Sequence, residues 1–129
     1  MRRRVAVGSV EVLSDGVRVV LPIRTANPLN AARGSSRFAL ARTKRHHRGL
    51  AASVVRAALR GRVVLPCIVR LTRVAPSSGL DPHDGLPAAL KAVVDGVADA
   101  LGIDDRDPRV RWEYAQERGP YAVRVEVRP

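Results

Sequence analysis

One amphipathic segment, from Asp84 to Leu101, constrains the fold of this chain more than any other feature. At about 100° per residue, its apolar residues fall on one face of a helix. That face consists of Leu86, Leu90, Val93, Val97 and Leu101. Asp84, Lys91 and Asp95 fall on the opposite side. The helix must therefore bury its leucines and valines, and its charged stripe faces outward or toward a cleft at the helix N-terminus. Gly102 is a favourable residue at which to end such a helix.

Period-two alternation on both sides of this helix predicts strands. The segment from Val5 to Leu21 indicates a hairpin that turns at Ser14-Asp15-Gly16, and the segment from Val110 to Val127 indicates two further strands. The apolar run from Val63 to Val74 indicates a buried strand, in which Pro66 limits pairing or marks a bulge.

A basic loop over residues 22–42 separates the hairpin from another helix, which is predicted from Thr43 to Arg60. The order of elements is then β-β-α-β-α-β-β. It predicts an α+β fold in which two main helices pack on a mixed or mostly antiparallel sheet. At 129 residues and 46% hydrophobic content, we expect a single domain over residues 1–129.

The sequence has no feature of a membrane or disulfide-rich protein. It contains no apolar run of about 18 residues and no leader-like apolar segment after Met1, so we expect a cytoplasmic protein. Its single cysteine, Cys67, cannot form an internal disulfide or a thiolate metal cage. Cys67 lies in an apolar run, which favours a small buried hydrophobe over the alternative of a reactive thiol.

The net charge of +11 is unevenly distributed along the chain. Residues 1–80 hold sixteen Lys or Arg and only two acids, whereas residues 81–107 hold seven Asp and only two cations. A coding bias toward Arg explains why 21 of the 23 cations are Arg, but it does not explain the scarcity of acids before residue 80. The distribution predicts a basic surface for a polyanion beside a separate acidic site.

Two acidic clusters bracket the amphipathic helix, one at Asp81 and Asp84 and one over residues 104–107. Carboxylates from two chain segments suit Mg²⁺ or Mn²⁺, which prefer oxygen ligands and keep waters for a phosphate substrate. A metal held there can activate a water that hydrolyses a phosphodiester. Structural roles are the alternative: a helix cap for Asp84, a turn for Asp81, an i,i+4 pair of Lys91 with Asp95, and a solvated loop.

The same residues carry a more specific pattern. It runs Leu80-Asp81-Pro82-His83-Asp84-Gly85-Leu86, then Ala89-Leu90-Lys91, then from Asp95 to Asp105. This pattern resembles the signature of the RusA-like family of Holliday-junction resolvases: Asp-x-Asp-Asn-Leu, a helix Lys, an Asp-x-Leu and a following Asp-Asp pair. Outside residues 80–107 the likeness is weaker, and residues 1–13 look like an additional N-terminal strand.

The resemblance implies a homodimeric, Mg²⁺- or Mn²⁺-dependent endonuclease, of a kind that phages and prophages often encode. Such an enzyme nicks four-way junctions in DNA recombination and repair. Carried over to the matching positions, the resemblance implies that Asp84 and Asp105 are catalytic metal ligands and that Lys91 gives electrostatic support.

Two departures from the family pattern affect the expected site. Pro82 stands where the family has its first Asp, so either Asp81 substitutes as a catalytic ligand from one residue away, with Asp104 as a stand-in ligand, or the site lacks a ligand. Gly85 replaces the Asn of the motif. These departures leave open a catalytically inactive homologue that binds junctions without cutting them.

The basic half of the chain supplies the expected phosphate-binding surface. Its members are Arg33, Arg37, Arg42, Lys44, Arg45 and Arg48. Cations in the first turn of a helix oppose its dipole, which favours an external anion such as phosphate as their partner. His46 and His47 are expected to belong to this surface rather than to a metal site.

Aromatic residues make up only 3% of the chain, so a protein that stacks single-stranded bases is not expected. Trp112 and Tyr114 have strand spacing and are predicted to lie in the core or on a face of the sheet. A small basic RNA-binding protein remains a further alternative, which predicts a preference for RNA and no selectivity for junctions.

Overall fold

Within residues 9–25, 37–62, 65–77 and 79–129, which the computed structural model describes, five strands form one sheet. They are β1 (Val10–Val12), β2 (Val17–Leu21), β3 (Cys67–Ala75), β4 (Val110–Arg118) and β5 (Ala122–Arg128). Their order across the sheet is β1-β2-β5-β3-β4. The strand β5 therefore lies in the middle, where it pairs antiparallel with both β2 and β3.

The strands β3 and β4 pair in parallel, whereas the other pairs are antiparallel. A parallel pair needs a crossover connection, and a helix between these two strands supplies it. The sheet is therefore mixed, and the predicted α+β fold with the order β-β-α-β-α-β-β is confirmed.

The helices of the described chain, α1 (Arg37–Leu59) and α2 (Gly85–Leu101), cover one face of the sheet. The predicted apolar face of α2 is confirmed, because all five of its residues are buried: Leu86, Leu90, Val93, Val97 and Leu101. They form one core with inward residues of the strands, such as Leu71 and Val125. The helix ends as predicted at Gly102, whose φ is 71°.

The start of α1 differs from the prediction, because the helix begins at Arg37 rather than Thr43. Its first half is largely exposed, and its buried residues begin only at Ala51. Phe38 is 81% exposed. This half buries no apolar stripe, so its sequence lacks the periodicity from which a helix is recognised.

The predictions for β3 and Cys67 can be compared with the structure, whereas some other predictions fall on residues that are not described. The strand β3 begins at Cys67, directly after Pro66, which has no N–H to donate to the sheet. Cys67 is buried, and burial raises the pKa of its thiol, in line with a small buried hydrophobe. The predicted start at Val63, most of the additional N-terminal strand and Arg33 lie outside the described residues.

Gly96 sets the distance between the two helices. A Cβ on Gly96 would collide with the carbonyl oxygen of Arg48 and would lie 2.7 Å from Ala51 Cβ. The absence of a side chain at Gly96 therefore allows the backbones of α1 and α2 to approach closely. The exposed surfaces of the two helices are adjacent as a result. In the ranges given above, no helix is both long and apolar enough to cross a membrane.

Candidate functional site

The turn before α2 contains two of the predicted metal ligands, Asp81 and Asp84, and only Asp81 uses its side chain to stabilise the turn. Asp81 Oδ1 accepts a hydrogen bond of 2.8 Å from the backbone N–H of His83, and the Asp81 carbonyl accepts one of 2.8 Å from Leu86 N–H. Asp84 occupies the N-cap position but makes no side-chain capping bond. Asp81 therefore organises the start of the helix, and the exposed carboxylate of Asp84 has no hydrogen-bond partner among the described residues.

Lys91 is the centre of a three-residue ion cluster. Its Nζ donates to Asp95 Oδ1 at 2.9 Å and to Asp105 Oδ2 at 2.6 Å. The hydrogen bond from Lys91 is the main reason that the pKa of Asp105 lies below its ordinary value, and Asp105 is the main reason that the pKa of Lys91 is raised. The i,i+4 pair foreseen in the sequence is present, but Lys91 also reaches the loop beyond the helix.

That loop is held in place by local hydrogen bonds. Asp104 Oδ1 accepts from the N–H of Arg106 at 2.9 Å, so Asp104 serves the turn. Asp107 binds the side chain of Arg109 at 2.7 and 3.1 Å, and these bonds lower the pKa of Asp107 to about 2. Trp112 Nε1 donates to the carbonyl oxygen of Asp105 at 2.9 Å and thereby fixes the backbone that carries this carboxylate.

The structure brings together only some of the predicted ligands. Lys91 and Asp105 are in contact, but at a rise of 1.5 Å per residue Asp84 lies about 10 Å from Lys91 along the helix axis. Among the residues described, no three His, Cys, Asp or Glu side chains form a group that could hold a metal ion. The donors have the right chemistry for Mg²⁺, but this arrangement does not fit a preformed metal site.

The exposed half of α1 carries the predicted phosphate-binding cations. Arg37, Arg42, Lys44 and Arg45 are exposed. Because the helix begins at Arg37, the other three cations are not in its first turn, and the expected opposition to the helix dipole applies to Arg37 alone.

Arg48 differs from the other cations of α1, because it is engaged by the second helix. Its guanidinium donates two hydrogen bonds to the Asp99 carboxylate, at 2.7 and 2.9 Å. These bonds lower the pKa of Asp99 and raise that of Arg48. Arg48 therefore has a structural role between the helices, in addition to any contact with an anion.

A cavity of about 530 Å³ lies between the exposed half of α1 and the amino-terminal half of α2. Its wall includes Lys44 and Arg45 from α1 together with Lys91 and Asp95 from α2. The cations of α1 and two members of the ion cluster, Lys91 and Asp95, thus share one concave surface.

His47 also lines this cavity. Burial, and secondarily the neighbouring His46, lower the pKa of His47 below its ordinary value. The His47 ring is therefore mostly neutral near pH 7, and it adds hydrogen-bonding capacity rather than charge to the wall.

Two aromatic residues near the cluster were not identified as functional from the sequence. Trp112 positions Asp105, as described above. Tyr114 is 37% exposed on the helix side of edge strand β4. Burial raises the pKa of Tyr114, and Lys91 and Asp105 are close enough to modulate it. Strand spacing alone gives no signal for these contacts, because they depend on how the loop after α2 folds back.

Neither a scan of protein-family models nor a search of curated proteins finds a match to this chain.

Proposed function

We propose that this protein is a RusA-like endodeoxyribonuclease that cuts four-way junctions and other branched DNA with Mg²⁺ or Mn²⁺. The observation that carries the proposal is the cavity whose wall includes Lys44 and Arg45 of α1 together with Lys91 and Asp95 of α2. A DNA phosphate bound by the cations of α1 would lie beside Lys91, whose ammonium group contacts Asp105. The likeness of residues 80–107 to the RusA-like signature supports the same activity.

The basic surface is suited to a polyanion. Neither Lys44 nor Arg45 has an ion-pair partner in the part of the chain that the structure describes, so both charges are available to phosphates. Such contacts release counterions from DNA, and the affinity should fall steeply with salt.

In the proposed reaction, Asp84 and Asp105 would be the principal metal ligands, Asp81 and Asp104 would be supporting carboxylates, and Lys91 would offset negative charge. The free carboxylate of Asp84 is consistent with such a role. The proposal requires Asp84 and Asp105 to approach each other when DNA and metal bind. We also propose a homodimer, because the resemblance implies one and because resolving a junction requires cuts in two strands.

A non-catalytic junction-binding protein is the second candidate. It is favoured by one specific observation: Asp105 is already paired with Lys91, and the described acids do not gather into a metal-binding group. This candidate retains the basic surface of α1 but gives the acids a structural role only.

A nicking assay separates the candidates. The full chain is incubated with a labelled four-way junction, a linear duplex and a structured RNA, each with EDTA, Mg²⁺ or Mn²⁺. We expect metal-dependent nicking of the junction. Asp84→Asn and Asp105→Asn should each reduce it by more than the roughly 10–100-fold that loss of a residue hydrogen-bonded to a metal ligand costs, because each removes a metal ligand itself. Asp15→Asn is the matched control, because Asp15 is an exposed acid in the turn between β1 and β2.

The outcomes differ for each candidate. Junction binding without nicking under every metal condition would favour the non-catalytic protein. Preference for RNA over both DNA substrates would contradict both candidates. Nicking that survives both Asp→Asn substitutions would show that the acids have been assigned wrongly.

A further inference from the structure

The cavity between the helices has two chemically different walls. Leu40, Ala88, Ala89 and Ala92 supply an apolar surface, whereas Arg24, Lys44, Arg45, Arg48 and Lys91 supply cations. Among the described residues that line the cavity, Asp95 is the only acid. A volume of about 530 Å³ lies within the range of about 300–1,000 Å³ that is typical of small-molecule sites.

A buried pair of residues adjoins this cavity. Arg73, on the helix face of β3, donates a hydrogen bond of 2.9 Å from Nε to Thr25 Oγ1. Both residues are only 4% exposed, and Thr25 lines the cavity. Because Thr25 accepts from Arg73, its own hydroxyl hydrogen remains to be donated.

The charge of Arg73 has no counterion within the described residues. None of the ion pairs there includes Arg73, and its hydrogen bond goes to a neutral hydroxyl. A buried charge is costly unless it is paired, so an anion next to Thr25 would stabilise this arrangement. The Thr25 hydroxyl can then donate a hydrogen bond to the anion, while Arg73 orients and polarises this hydroxyl through the hydrogen bond that it donates to Thr25 Oγ1.

We propose that this cavity binds one unpaired nucleotide of DNA, with its phosphate at Thr25 and the cationic wall and its base against the alanines of α2. The choice of DNA rests on the proposed function. The inference deepens that function, because it assigns a nucleotide whose base pair opens at the branch point as the group recognised. Thr25 is the binding residue and Arg73 is a positioning residue.

The test is isothermal titration calorimetry of the full chain at low salt in EDTA, so that no cleavage occurs. The probes are dAMP, deoxyadenosine and inorganic phosphate. We expect dAMP to bind at least about tenfold more tightly than either of the others, since only dAMP engages both walls. We expect Thr25→Val to weaken dAMP about tenfold, the effect of losing a hydrogen bond to a charged group, and Thr25→Ser to restore it.

A second variant tests the location without disturbing the buried pair. Ala88 is exposed at the mouth of the cavity, so Ala88→Leu should obstruct it and weaken dAMP binding while the fold is retained. Ala57→Leu, an exposed position farther along α1, is the matched control. Equal binding of dAMP and inorganic phosphate would overturn the nucleotide assignment, and dAMP binding unaffected by Ala88→Leu would overturn the location.

These results are independent of catalysis. Nicking of junctions by a protein that does not bind dAMP would overturn this inference alone. Binding of dAMP by a protein that never nicks DNA would count against the proposed endonuclease but not against the nucleotide site.

Discussion

The ammonium group of Lys91 lies 2.6 Å from Asp105 Oδ2 and so joins the middle of α2 to the loop that follows this helix. We expect Lys91→Met to raise the pKa of Asp105 toward its ordinary value, because this hydrogen bond is the main cause of the lowered pKa. Carboxyl-detected NMR titration measures the change. Asp95→Asn is the control, because it removes the other partner of Lys91 and leaves the contact with Asp105. An unaltered pKa of Asp105 in the Lys91→Met protein would contradict the contact.

The pair of Asp107 and Arg109 predicts a defined dependence of stability on pH. The Arg109 side chain lowers the pKa of Asp107 to about 2, below the unfolded value of about 3.9. Its stabilising effect is therefore present above about pH 4 and is lost as the pH falls toward about 2. We expect Arg109→Gln to lower the free energy of unfolding at about pH 5 and to lower it much less at about pH 2, where about half of the Asp107 carboxylates are protonated, as urea titrations at the two values would show. A deficit of equal size at both values would contradict this explanation.

Two glycines give a matched test of helix packing. Gly96→Ala should destabilise the protein by about 1–3 kcal/mol, because the new methyl group collides with the backbone of α1. Gly49→Ala should stabilise it by about 0.5–1 kcal/mol, because Gly49 lies inside α1 with open space around its Cβ position. Chemical denaturation of both variants measures the contrast. A stabilising Gly96→Ala would mean that the helices can separate without cost.

A helix or strand of this fold is predictable from the sequence when it buries a periodic apolar face. The helix α2 has such a face from Leu86 to Leu101 and a glycine at its end, and its limits were predicted to within one residue. The first half of α1 has none, so its start at Arg37 was missed. The alternation in β5 predicts a strand, but alternation does not specify neighbours, so the central position of β5 became known only from the structure.

The candidate site is likewise predictable from the sequence only in part. Local sequence identified Lys91, Asp95 and the acids on both sides of α2. It did not reveal that Asp99 binds Arg48, because these residues are distant in sequence and meet only when the helices pack. It likewise gave no sign that Thr25 and Arg73 form a buried pair, since a lone Thr and a strand Arg are ordinary surface residues in sequence.

Trp112 is expected to hold the loop that carries Asp105 in a fixed conformation. Trp112→Phe removes the hydrogen bond to the Asp105 carbonyl and should lower the free energy of unfolding by about 1 kcal/mol. It should also accelerate hydrogen exchange of the Asp107 N–H, which is bonded to the Asp104 carbonyl in the same loop. Tyr114→Phe, on the same strand face, is the control. Equal exchange rates in the wild type and the Trp112 variant would exclude this positioning role.

The basic surface of α1 is expected to set the salt dependence of DNA binding. Lys44→Gln and Arg45→Gln should each reduce the slope of log K against log salt by about 1, with little effect on stability, because each loses a phosphate contact. Arg111→Gln is the control, because Arg111 is exposed on β4 and lies on the sheet face away from the helices. Fluorescence anisotropy over a salt series measures the slopes. The surface would be misassigned if Arg111→Gln changed the slope as much as the α1 variants do.

The middle position of β5 has a consequence for synthesis of the protein. Both β2 and β3 use β5 as a hydrogen-bonding neighbour, yet β5 follows both of them in the chain. While the chain emerges from the ribosome, β2 and β3 must wait with open edges until residues 122–128 are available. Such edges can pair with other chains, so the interval before β5 emerges is when a nascent chain most needs a chaperone.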